Sequence, residues 1–260
     1  MIAWVGDASG RGEFSAAPRI DARDRGLTLG LALFETMRGR GGRVPLWDRH
    51  LRRLGDSAAV LGLPLPDEAA LREVAIGVLA RAGRDDVVLR LTLTADARCA
   101  IVCREFAASP APRRLAVVPL RRDAGDPTAA HKSTSRLLLV IAQRLAREAG
   151  ADEALLRGAD GELLETDVGN LFCELDGRWL TPPTDGRLLP GVARGVLLEG
   201  LAAAGQPGLE RPLVVADLTR VQRLVVSNAV HGPRPAQIQG SGPAAAGTGL
   251  LGPLWRAALG

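Results

Sequence analysis

Tyrosine is absent from this 260-residue chain, and all but one of its 33 Lys and Arg residues are arginine. Aromatic residues make up only 3% of the sequence, too few for the stacking platforms that hold single-stranded nucleic acid. The basic pairs Arg52-Arg53, Arg113-Arg114 and Arg121-Arg122 are short and lack interleaved aromatics, so a net charge of +4 argues little for nucleic acid. Cysteine is scarce as well: Cys99, Cys103 and Cys173 form no C-x-x-C pair. That pattern argues against a disulfide framework or a zinc knuckle and fits a reducing compartment. The histidines His50, His131 and His231 show no metal-ligand spacing, and no metal is expected. No apolar run reaches the roughly 18 residues of a membrane helix, and Met1-Ile2-Ala3-Trp4 lacks the start of an export signal. The expectation is a cytoplasmic protein without nucleic-acid or membrane partners.

What is present is a hydrophobic content of 47%, punctuated by 31 Gly and 17 Pro. That suffices for one large core or two small ones. The single lysine is Lys132, in His131-Lys132-Ser133-Thr134-Ser135-Arg136. Where arginine serves wherever a cation is enough, a surviving lysine is a candidate for chemistry arginine cannot do. A desolvated lysine can lose its proton and form a Schiff base with a carbonyl compound, whereas a guanidinium stays protonated. Survival on a solvated face is the plainer alternative.

Periodicity gives a mixed α/β chain. Residues 2–5 read as an edge strand and 6–17 as a loop. The apolar segment 27–37, the turn Gly39-Arg40-Gly41-Gly42 and the extended 44–47 read as a hairpin. Helices are expected from Asp48 to Leu61 and from Asp67 to Ala82, then strands at 87–94 and 99–103. The Pro- and Ala-rich 108–113 reads as a linker between an N-terminal domain (1–107) and a C-terminal domain (114–260). Beyond it come a strand at 115–120, a helix at 135–149, strands at 153–156, 162–165, 170–174 and 178–180, a helix at 192–204, a strand at 223–227 and a Gly- and Ala-rich tail.

Seven blocks in order carry a resemblance. They are Asp24-Arg25-Gly26 with Phe34-Glu35-Thr36; His50-Leu51-Arg52-Arg53-Leu54; His131-Lys132-Ser133; Glu162-Leu163-Leu164-Glu165 with Asn170-Leu171-Phe172; Thr181-Pro182-Pro183; Leu188-Leu189-Pro190-Gly191-Val192-Ala193-Arg194; and Ser227-Asn228-Ala229. Together the chain resembles the class IV aminotransferases, enzymes of fold type IV that depend on pyridoxal 5'-phosphate. The resemblance implies a small N-terminal α/β domain, a larger barrel-like C-terminal domain that binds the cofactor, and a homodimer.

It also implies roles. Lys132 would bind the cofactor aldehyde and later carry the proton. Glu165 would face the pyridine nitrogen and keep it protonated, so that the ring draws electrons. Arg53 would hold the phosphate with its planar fork. Val192 and Ala193 would offer it backbone N–H groups at a helix start, Asn228 and Ala229 would add another contact, and Leu189 would pack on the ring. Asn170 would brace the loop after Glu165. Among family members the chain is most similar to aminodeoxychorismate lyase, in length and in the contexts of Lys132 and Ser227-Asn228-Ala229; aminotransferases of the D-amino-acid or branched-chain type are the alternative, and a non-catalytic relative a further one. Departures fall at Ala193, where the family usually has Thr, at Phe34, where some relatives have Tyr, and at Ala95-Asp96-Ala97-Arg98, which replaces a Ser-Arg-Gly run. Phe34, Arg38 and Arg98 are the candidates for contacting substrate, and His131 for tuning Lys132.

Overall fold

The computed structural model describes residues 2–109, 112–123, 125–240 and 247–259. Residues 110–111 of the expected linker, and 241–246 and Gly260 of the Gly-rich tail, lie outside the described residues. The chain divides into two compact units, Met1–Ala107 with His131–Ser135 and Ala108–Ala130 with Arg136–Gly260.

The first unit is an antiparallel sheet covered by helices. Its elements are β1 (Ile2–Asp7), β2 (Gly12–Ser15), α1 (Arg25–Thr28), β3 (Ala32–Arg40), α2 (Trp47–Leu61), α3 (Glu68–Ala82), β4 (Asp86–Thr94) and β5 (Arg98–Glu105), with strand order β2-β1-β5-β4-β3. Helix α2 exists because Trp47, Leu51, Leu54 and Ala58 recur at helical spacing and reach the core, where they meet Leu33 and Met37 of β3. It stops at Gly62, whose φ of 66° suits a left-handed cap. Asp67 caps α3 by accepting from Ala70 N at 3.0 Å.

Two expectations fail here. The 27–37/44–47 hairpin does not form: Leu27 lies in α1, Leu46 turns at φ 62°, and Trp47 opens α2. The turn leaves one bridge, Arg40 to Arg43, and β3 pairs instead along its whole length with β4, whose alternating apolar residues match its own. Nor is β1 an edge, since β2 arises inside the expected loop and covers it. Gly6 permits that close approach; a Cβ there would lie 2.3 Å from Arg11 O.

The second unit is a closed barrel. Its elements are β6 (Arg113–Arg122), α4 (Leu137–Glu148), β7 (Glu153–Gly158), β8 (Glu162–Thr166), β9 (Asn170–Leu175), β10 (Arg178–Thr181), α5 (Val192–Ala203), β11 (Leu209–Glu210), β12 (Leu213–Val214), β13 (Arg223–Asn228), β14 (Gly232–Ile238) and α6 (Leu251–Leu259). Among the described residues the sheet order is β11-β10-β9-β13-β14-β6-β7-β8-β12, and the extra pairing of β8 with β9 closes β9-β13-β14-β6-β7-β8 into a ring. Leu115, Leu155, Leu163, Leu171, Leu224 and Val226 form its buried core. The closing pair is Glu165 opposite Asn170. Strand β14 escaped the sequence pattern because Pro233 and Pro235 interrupt it. They stand opposite Ser227 and Val225 of β13 and precede the stretch 236–238 that pairs with β6.

Candidate active site

Strand β3 has an open edge, and the lysine segment fills it. Phe34 N donates to Lys132 O at 2.8 Å, Thr134 N donates to Ala32 O at 2.8 Å, and Leu33 bridges Ser133. Thr134 and Ser135 both donate their hydroxyls to Gly30 O at 3.0 Å. A side chain on Gly30 would meet Ser135 Oγ at 2.6 Å, and its φ of 66° also favours glycine. Lys132 is therefore flanked by backbone ladder bonds to β3.

Alternation along β3 sends Leu33, Glu35 and Met37 toward the helices and Phe34 to the other face. The ring of Phe34, 2% exposed, lies 4.7 Å from Lys132 Nζ and 3.6 Å from the Arg90 guanidinium. On the helix side Glu35 is buried at 1% exposure. Arg53 donates to it twice, Nε to Oε1 at 2.8 Å and Nη2 to Oε2 at 2.6 Å, and His50 Nδ1 stands 2.7 Å from Oε2. Burial alone would raise the Glu35 pKa, but Arg53 and His50 outweigh it and bring it down to about 2. Burial lowers the His50 pKa, opposed by Glu35 and assisted by the charges of Arg53 and Lys132. A neutral His50 then donates Nδ1–H to a carboxylate that can only accept. His131, the expected neighbour of Lys132, turns its Nδ1 to Ser57 Oγ at 3.0 Å.

The other expected cofactor residues belong to the second unit. Glu165, 5% exposed, accepts from Arg122 Nη1 at 3.0 Å, Asn170 Nδ2 at 3.2 Å and Leu189 N at 3.3 Å. Asn170 Nδ2 also donates to Leu189 O at 2.9 Å, tying the strand end to the segment that enters α5. Gly191 precedes that helix, and a Cβ there would lie 1.9 Å from Asn170 Oδ1. Val192 and Ala193 begin α5, so their N–H groups have no partner within the helix. Asn228 Oδ1 accepts from Val230 N and His231 N, and its Nδ2 donates to Val168 O, which shapes the turn that carries Ala229.

Two candidates stand apart. Arg38 forms a bidentate pair with Asp86 at 2.7 and 2.6 Å and stacks 3.7 Å from the Phe106 ring. Arg98 is exposed at the start of β5, and its charge acts on Asp21. The loop before it is braced: Arg25 pairs with Asp96 at 2.6 Å, and Thr94 Oγ1 donates to the buried Asp24. Sequence reasoning gave no role to Glu35, His50, Arg90 or Arg122. A charge at position 35 between the apolar 33 and 37 was the available signal for Glu35. Arg90 and Arg122 gave none among so many arginines.

A sequence model described as amino-transferase class IV matches residues 32–238. A putative branched-chain-amino-acid aminotransferase of Methanocaldococcus jannaschii is 28% identical over 228 residues, 80% of this chain and 78% of its own. A bifunctional aminodeoxychorismate lyase / D-amino acid transaminase of Mycobacterium tuberculosis is 29% identical over 228 residues, covering 77% of this chain and 79% of its own. The crystal structure of 4-amino-4-deoxychorismate lyase from Pseudomonas aeruginosa superposes with a TM-score of 0.85 at 29% identity, over 98% of each chain. An aminotransferase of Brucella abortus, solved with its cofactor PLP, shares the fold with a TM-score of 0.88 at 21% identity, over 100% of this chain and 99% of that one. Matched along most of its length in sequence and along nearly all of it in fold, the chain belongs to the class IV aminotransferases, pyridoxal-phosphate-dependent enzymes of fold type IV.

Proposed function

We propose that this enzyme is a lyase that eliminates pyruvate from 4-amino-4-deoxychorismate and leaves 4-aminobenzoate, a step of folate synthesis. The observation that carries the reading is the Phe34 ring with Lys132 Nζ and the Arg90 guanidinium both against it. An apolar ring suits a flat cyclic substrate, a guanidinium suits its carboxylates, and the amine is the base the reaction needs. The lyase-like context of Lys132 and the Pseudomonas aeruginosa relative support it.

The donor set fits pyridoxal phosphate: an amine for the aldehyde, a guanidinium and a helix start for the phosphate, and an anchored carboxylate for the ring nitrogen. Lys132 would take the aldehyde, Arg53, Val192, Ala193, Asn228 and Ala229 the phosphate, Glu165 the nitrogen and Leu189 the ring face. Once bound, the cofactor supplies an electron sink for the carbon that loses its proton. Lys132 removes that proton from the amine-bearing carbon; the carbon–oxygen bond to the enolpyruvyl group breaks, the departing enolpyruvate takes up a proton to become pyruvate, and the ring becomes aromatic. Aromatisation provides the driving force, so positioning is the larger part of the protein's task.

Transamination is the second reading, because the Mycobacterium tuberculosis relative is named for both activities. Product analysis separates them. Pyruvate and 4-aminobenzoate formed from aminodeoxychorismate without a keto acid support the lyase; turnover only with an added keto acid overturns it. A purified protein without a visible cofactor band would overturn both. The reading also carries a homodimer, measurable by light scattering.

A further inference from the structure

We infer that Glu35 is a positioning residue for Arg53, and that His50 is the second anchor of this buried clamp. The inference rests on the reading of Arg53 as the phosphate-binding cation and adds what holds that cation in place. All three residues lie in the first unit, Glu35 on β3 and the other two one helical turn apart on α2.

Arginine has many rotamers, and fixing them at the moment of binding costs affinity. Here the guanidinium is fixed beforehand. Glu35 grips its Nε–Nη2 edge at 2.8 and 2.6 Å, which sets the plane of the fork and the direction of Nη1. Glu35 is itself fixed, since Oε2 also takes the His50 contact at 2.7 Å from a histidine only 1% exposed. The three contacts use both carboxylate oxygens as acceptors. A glutamine would offer one acceptor oxygen, and its NH2 would face a donor from Arg53 or His50.

The test uses the full-length enzyme stripped of cofactor and titrated with pyridoxal 5'-phosphate and with pyridoxal, which lacks the phosphate. Phosphate preference is the ratio of the two dissociation constants, and a residue that only stabilises the fold leaves it unchanged. Arg53→Ala is expected to lower the ratio about ten- to a hundredfold, the range for hydrogen bonds to charged groups. Glu35→Gln is expected to lower it about tenfold or more, and the double variant no further than Arg53→Ala alone. His50→Asn, which keeps a donor for Oε2, holds the ratio within about twofold, whereas His50→Leu lowers it. A falling ratio in Arg53→Ala with an unchanged one in Glu35→Gln overturns the clamp and leaves the role of Arg53 intact. An unchanged ratio in Arg53→Ala overturns the phosphate role itself. If Glu35→Gln does not fold, Glu35→Asp, charged but shorter, carries the same comparison, and an unchanged ratio there overturns the clamp.

Discussion

Glu35 in the first unit and Asp167 in the second are both buried carboxylates, 1% and 3% exposed, yet they ionise in opposite ways. Burial penalises the charge of each. Glu35 sits against Arg53 and His50, which more than offset the penalty and bring its pKa from 4.5 down to about 2. Asp167 accepts Ala154 N at 2.8 Å, but Glu153 lies near and adds like charge, so burial prevails and its pKa rises from 3.8 to about 6. Glu153 has the local cations, with Arg113 Nε and Arg234 Nη2 each at 3.0 Å from its Oε1. A buried acid is charged or neutral according to which neighbour claims the cations. In the first unit Arg53 sits on the acid itself, on the helix side of β3. At the barrel end Arg113 and Arg234 pair with Glu153, and the charge of Arg136 does not offset the burial of Asp167.

The difference can be broken at several points. The largest effect is expected at Lys132: replacement by alanine should reduce turnover by at least ~10²–10⁴-fold, the scale of general acid–base catalysis, with the melting temperature nearly unchanged. Retained turnover and a retained cofactor band would remove Lys132 from the chemistry. Next comes Glu35→Leu, which strips Arg53 and His50 of a shared acceptor and should cost about 3–5 kcal/mol in urea unfolding, the usual result of breaking a buried ion pair.

Asp167→Asn should act in the opposite direction. A folded pKa raised to about 6 means that Asp167 contributes stability fully below the unfolded value of 3.8 and loses that contribution as pH rises through about 6. At pH 8 the asparagine, which keeps an acceptor for Ala154 N, should be more stable than the parent by up to roughly 2–3 kcal/mol; at pH 4 the two should nearly coincide. Glu35 has the reverse sign. Its contribution is present above the unfolded value of 4.5 and disappears as pH falls through about 2. Unfolding curves at several pH values would sharpen the contrast, and a gain from Asp167→Asn as large at pH 4 as at pH 8 would contradict it.

The sequence pattern carried α2 to α5, because residues such as Leu51, Leu54 and Ala58 can be read without knowing what they pack on, but it missed α1 and α6. Pairing was harder. Nothing local tells β3 to choose β4 over the nearer 44–47, and nothing in Gly12–Ser15, exposed over most of its length, announces a strand. The site shows the same limit. Lys132 is legible because its residue type is unique, but its seat on the edge of β3 depends on contacts about 100 positions away in sequence. Arg90 and Arg122 are two arginines among many, and only the fold sets one against Phe34 and the other on Glu165.

Arg98 offers the smallest expected effect and a sharp discrimination. It lies in the Ala95-Asp96-Ala97-Arg98 run that departs from the family pattern, yet here the side chain is exposed and the loop is tied to Arg25 through Asp96. Arg90 instead lies against the same ring as Lys132. Removing an exposed loop cation should change stability by less than ~0.5 kcal/mol, and in this geometry Arg98→Ala should leave both KM and kcat within about twofold of the parent. Arg90→Gln should raise KM about tenfold or more, the scale of one lost charged hydrogen bond. The opposite pattern, a large KM effect from Arg98 and none from Arg90, would mean that the loop moves onto the substrate and that the resting arrangement around Phe34 is not the one that binds it.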